Sequence, residues 1–175
     1  MTEAQNKLKK ITDHFLPNLH AGMLHRWHTH PHLAGTVDRL DGHQGRVAKI
    51  MLKFWPDTSR EALILALAHD DGESGTADIP GAAKGEMPMD LRGQFERMEI
   101  ECRNALWSGF TGKYSPLIRS TEVDRFSFAD KLDAYMWAEH HAPHIMCHKE
   151  WQDAAQWLCG RAHDLGVFNI VEGQQ

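Results

Sequence analysis

The chain is short of cysteine, of long apolar runs and of positive charge, and each shortage removes a class of protein. Cys102, Cys147 and Cys159 are odd in number and none forms a Cys-x-x-Cys pair. Free thiols in a reducing cytosol fit that pattern. The longest apolar stretches break off well before the roughly 20 residues that a bilayer-crossing helix needs. The opening Met-Thr-Glu-Ala-Gln-Asn-Lys lacks the apolar core of a secretion signal. A cytoplasmic protein without membrane contact is the expectation. Nineteen basic against 24 acidic residues leave a net charge of −5, which argues against a general nucleic-acid coat or an anionic-membrane binder. Internal repeats, low-complexity tracts and sustained strand patterns are missing too.

What remains is an ordinary globular composition, 42% hydrophobic and 25% charged over 175 residues, which predicts one domain, 1–175, with a single sizeable core. Two excesses stand out: 13 histidines and six tryptophans.

Helical periodicity dominates. Leu8, Ile11 and Phe15 share a face in a helix that Pro17 is expected to end. Leu19 to Gly42 is expected to be a long irregular connection. Val47, Ile50, Met51 and Phe54 mark a helix from about His43 to Phe54. Ser59 is placed to cap the next one, Arg60 to His69, which is apolar almost all round and so predicted to be central. Gly72 to Met89 reads as a loop, Leu91 to Trp107 and Ser120 to Glu139 as long helices, and Cys147 to Asp164 as the last helix. The fold class is all-α.

The central apolar helix ends in His69-Asp70, with Glu73 three residues on. Adjacent imidazole and carboxylate at a buried helix end are costly to desolvate unless something binds them. His43 at the start of one helix, His69 and Asp70 at the end of the next, and Asp130 in a third can converge inside a bundle. Two imidazoles and two carboxylates suit Zn, Co, Mn, Fe or Mg and leave positions for water and a phosphate oxygen. Asp130 is preferred to Asp133 because the apolar lead-in Phe126-Ser127-Phe128-Ala129 would turn it inward.

His43, His69-Asp70 and Asp130 resemble the H…HD…D signature of the HD superfamily of metal-dependent phosphohydrolases. Arg26-Trp27, His69-Asp70-x-x-Glu73, Asp78-Ile79-Pro80 and Lys84 are similar, in the same order, to motifs of the bacterial HD-type 5′-deoxynucleotidases. The compact length is similar to the phage dATP triphosphohydrolases. The chain departs from the pattern at Asp41-Gly42 before His43, in the polar Asp71-Gly72-Glu73 stretch, and in the His-rich run from His28 to His32.

The resemblance implies an HD-domain helical bundle that hydrolyses 2′-deoxynucleotides, dATP foremost, to deoxyadenosine and triphosphate. It also implies a divalent metal (Zn, Co or Mn, with Mg compatible) and a homo-oligomer, dimer or hexamer. Glu73 and Asp78 would be catalytic, and Arg26, Trp27 and Lys84 would bind substrate: Arg26 and Lys84 the phosphates, Trp27 the base. The plain alternatives are a solvated Glu73, a core Trp27 and surface cations. As whole functions, a nucleotidase limited to monophosphates and a metal-holding nucleotide-binding protein without turnover stand beside the first reading. His140, His144 and His148, four apart, form a second ligand pattern only if Pro143 spares the helical register.

Overall fold

The computed structural model describes residues 2–77, 79, 81–107 and 116–173, with residues 81 and 82 described by backbone alone. In chain order the helices are α1 (Glu3–Gly22), α2 (Leu40–Phe54), α3 (Arg60–Ala68), α4 (Gly81–Glu86), α5 (Met89–Leu106), α6 (Ser120–His141), α7 (Lys149–Asp164) and α8 (Val167–Glu172). 3-10 turns cover Asp71–Gly75 and Pro143–Cys147. Among the described residues the only extended pairing is an isolated bridge between His25 and Arg39, so the fold is all-α. No described helix is long and apolar enough to cross a membrane.

The core that matters for the site joins α2, α3 and α6. Val47 and Met51 from α2, Leu65 and Ala66 from α3, and Phe126 and Ala129 from α6 pack into one buried cluster. Each large apolar side chain withdrawn from water there contributes about 1.5–3 kcal/mol. Ser59 caps α3 as its sequence position suggests, its hydroxyl accepting the Ala62 N–H at 3.2 Å. Glu122 on α6 accepts the Ser59 N–H at 2.8 Å, so the start of α3 is tied to the start of α6. α3 is central as its apolar composition predicts, although one of its leucines, Leu67, is exposed.

Three expectations about local structure give way. Pro17 does not end α1, which continues to Gly22. Proline removes the donor that Asp13's carbonyl would receive, but Asp13 and Pro17 are both exposed, and water can take that carbonyl. The expected irregular stretch 19–42 is trimmed at both ends, since α1 runs to Gly22 and α2 starts early, at Leu40, and 23–39 remains the connection. The expected loop Gly72–Met89 contains the 3-10 turn Asp71–Gly75 and α4.

That turn is packed tightly against α5. A Cβ on Gly72 would overlap the Glu99 carbonyl, and one on Gly75 would overlap the Cys102 sulfur. The glycines that suggested a loop are there for close approach. Asp71 is buried, and it accepts from Gln44 Nε2 at 2.8 Å and Trp107 Nε1 at 2.6 Å. The turn is thus clamped between α2 and the end of α5.

Candidate metal centre and adjoining cavity

His43 projects from the first turns of α2 and is fully buried. Its Nδ1 lies 2.7 Å from Asp133 Oδ2. His69 stands at the C-terminal end of α3, with Nδ1 3.0 Å from the Ala66 carbonyl. A carbonyl can only accept, so His69 carries its proton on Nδ1, and the carboxylate of Asp133 selects the same tautomer in His43. Both Nε2 atoms are then lone-pair donors when the rings are neutral, and they face each other at 3.2 Å. Two facing lone pairs repel unless a cation lies between them.

Two carboxylates complete the cluster. Asp130 Oδ1 is 3.1 Å from His43 Nε2 and 3.7 Å from His69 Nε2. Asp70 Oδ2 is 3.5 and 3.2 Å from the same two atoms. Donors sharing one tetrahedral ion at about 2.1 Å stand about 3.4 Å apart, so these separations fit a bound divalent metal. His43, His69 and Asp130 form a compact group able to hold such an ion, and Asp70 adjoins both rings. The four predicted ligands are therefore brought together.

The electrostatics have the same origin. Burial opposes protonation of His69, yet the Asp70 and Asp130 carboxylates outweigh it and raise its pKa well above the ordinary value. Burial would likewise raise the pKa of Asp70, but the His69 and His43 charges pull it below normal. Asp130 is pulled down against burial by the same two imidazoles. The carboxylates call for positive charge between them.

Asp130 and Asp133 are one helical turn apart on α6 and bracket His43, Asp130 on the Nε2 side and Asp133 on the Nδ1 side. Sequence reading set them up as rivals; both are used. Behind Asp133 lies a buried network it did not foresee. Arg46, one turn along α2 from His43, donates to Asp133 at 2.6 Å and to Asp38 at 2.7 Å. Arg26 donates to Asp38 at 3.2 Å and stands 3.6 Å from Asp133. Burial works against the ionised form of Asp133, but bonds from His43 and Arg46 hold its pKa below the usual carboxylate range.

This network, behind the His43 ring, is where Arg26 and Trp27 reside. Trp27 Nε1 donates to Asp38 at 3.1 Å, and its ring packs against His30 and Trp151. Its φ of 63° is unusual for a bulky residue, and the packing and hydrogen bond hold it there. The expected base platform is thus engaged in a polar network and an apolar cluster.

On the other side the cluster opens into a cavity of about 470 Å³, lined among others by His69, Asp130, Lys84, Phe95, Glu99, Arg103 and Phe126. Neither Arg26 nor Trp27 lines it. Its far wall is one stripe of α5: Arg92, Phe95, Glu96, Glu99, Ile100 and Arg103 follow the three- and four-residue helical spacing. The stripe mixes charge with apolar groups, which hides it from a hydrophobicity reading. A basic residue recurring at that spacing opposite an HD helix end is the signal that could have found it.

Lys84 lines the cavity, 2.9 Å from Glu99 and 3.7 Å from Glu73. Burial would lower its pKa, but the bond to Glu99 and the charge of Glu73 raise it. Glu73 is buried in the 3-10 turn next to the ligand pair, which removes the solvated-loop reading. Arg103 donates to the His69 carbonyl at 3.2 Å, pinning the helix end that carries two of the candidate ligands. Asp78 lies outside the described residues. No protein-family model, curated protein or solved structure matches this chain.

Proposed function

We propose that this protein is a metal-dependent phosphohydrolase of 2′-deoxynucleotides, acting on dATP and also on dADP and dAMP, with deoxyadenosine and triphosphate as the products from dATP. The observation that carries the reading is the pair of imidazole Nε2 atoms 3.2 Å apart, flanked by Asp70 and Asp130, beside a cavity that His69 and Asp130 line together with Lys84 and Arg103. The volume is in the range of small-molecule sites.

His43, His69, Asp70 and Asp130 would hold the metal, Zn, Co or Mn, with Mg compatible. When bound, such an ion lowers the pKa of its water and polarises a phosphoryl oxygen. Asp133 keeps the proton of His43 on Nδ1 and so keeps Nε2 available. Lys84 offsets phosphate charge as a point cation, exchanging its bonds to Glu99 for phosphate oxygens. Phe95 and Phe126 offer apolar faces to the nucleoside. Glu73, next to the ligand pair, orients or deprotonates the attacking water, or protonates the departing 5′ oxygen. Asp78 keeps the role the resemblance gives it, a contact to the deoxyribose hydroxyl or to water. Arg26 and Trp27 serve the same reaction by holding Asp38 and Asp133 rather than by touching substrate.

The test is a panel of deoxynucleoside mono-, di- and triphosphates incubated with purified protein and Co, Mn, Mg or Zn, reading orthophosphate against tripolyphosphate. Tripolyphosphate from dATP is the expected product. Orthophosphate from monophosphates alone would make the enzyme a 5′-deoxynucleotidase. Nucleotide binding without any product would leave a metal-holding sensor.

A further inference from the structure

The two His-rich stretches of the sequence lie 112 residues apart and meet at the surface. His32 belongs to the connection 23–39 between α1 and α2. His144 sits in the turn Pro143–Cys147, and His148 is the N-cap residue of α7. His140 is not part of this group: it lies at the end of α6, where its ring meets that of His141. Pro143 does break the register, and the helical set 140/144/148 is replaced by a tertiary one.

His144 Nε2 and His32 Nδ1 are 3.4 Å apart, the spacing that two donors on one tetrahedral ion adopt, about 3.4 Å. The His148 ring centre is 5.8 Å from that of His32, and His148 is exposed, so the third ligand joins the pair only by turning its side chain toward it on binding. The backbone beneath is anchored. Leu33, next to His32, and Ile145, next to His144, are both fully buried in one apolar cluster with Ala142 and Trp151. That shared core fixes the two segments relative to each other, the condition for a preorganised ligand set.

We propose that His32, His144 and His148 bind a second divalent ion, of the zinc and nickel class, which clips the α1–α2 connection to the start of α7. An all-imidazole set favours such borderline ions over Mg or Ca, which take oxygen ligands. A fourth position is left for water. The cluster is separate from the His43–His69 centre and does not depend on the activity proposed for it.

The experiment is calorimetric titration of Zn²⁺ into the chelator-stripped, untagged full chain, with Mg²⁺ as a control. Two equivalents are expected in the wild type and one in the His32→Asn/His144→Asn double variant. His69→Asn should retain the surface equivalent. In that background Zn²⁺ should raise the Tm, and adding His144→Asn should abolish the rise, since an ion that binds only the folded state stabilises it. A single equivalent in the wild type that persists in the double variant overturns the proposal. So do two equivalents in the double variant, loss of both in His69→Asn, or saturation only at millimolar Zn²⁺. Zinc-dependent dimerisation removed by His144→Asn would also overturn it, by moving the site to a contact between copies.

Discussion

Two gatherings of histidine in one small protein differ in what holds the second nitrogen of each ring. At the His43–His69 centre the answer is specific: Asp133 holds Nδ1 of one ring and the Ala66 carbonyl that of the other, and the rings are 0% and 9% exposed. At the His32–His144 pair the rings are exposed, and the relative position of the two segments comes from the apolar cluster under the backbone. Histidine content is the same kind of signal in both places. Preorganisation is not, and it is the outer partners that orient a ligand and tune its basicity.

The strongest way to break this contrast is to empty the buried centre. Asp70→Ala is expected to abolish tightly bound transition metal and hydrolytic activity while the far-ultraviolet circular dichroism stays helical. Full metal occupancy in that variant would remove Asp70 from the centre. Glu73→Ala should keep the metal and lower turnover by about 10² to 10⁴, the range for a positioned acid or base. Steady-state kinetics at saturating metal decide it, and near-normal turnover would reduce Glu73 to a packing role in its 3-10 turn.

Asp133→Asn sharpens the comparison directly, because it changes the charge behind His43, and with it the pairing to Arg46, without touching the atoms that face the metal position. Outer-partner changes cost about 10–100-fold in metal affinity, measurable by competition with a chromophoric chelator. An unchanged affinity would mean that the charge of Asp133 does not tune the centre, since the Asn amide oxygen can still accept from His43 Nδ1.

The smallest effect concerns a buried carboxylate with no histidine beside it. Burial would raise the pKa of Glu122, but the Arg119 side chain and the Ser59 N–H bring it down from 4.5 to about 2. A depressed folded-state pKa stabilises above the unfolded value and is lost as pH falls through the folded one. Glu122→Gln should therefore cost about 2 kcal/mol in urea unfolding near neutrality, with the deficit closing between about pH 4.5 and pH 2. A deficit independent of pH would assign the loss to shape rather than charge.

Local physics was legible in the sequence wherever one helix face or one cap decided the outcome. The stripe Val47, Ile50 and Met51, with Phe54 turned to a neighbouring cluster, and the cap at Ser59 read correctly because each depends on neighbours within a few residues. The convergence of His43, His69, Asp70 and Asp130 was also legible, since desolvating these groups at apolar helix positions has little other explanation. The all-α class followed from the same periodicities.

Tertiary structure alone decided the rest, and for one reason: those features depend on distances between segments far apart in the chain. Whether Gly72 is a loop residue or a contact point depends on Glu99 of α5. Arg26 and Trp27 could be read as substrate-binding until Asp38 and Asp133 were found beside them. Asp130 and Asp133 cease to be rivals only when one imidazole stands between them. The sequence determined which residues are candidates for the chemistry; the packing of α2, α3, α5 and α6 determined which of them converge at the candidate metal centre, which line the cavity and which hold the others in place.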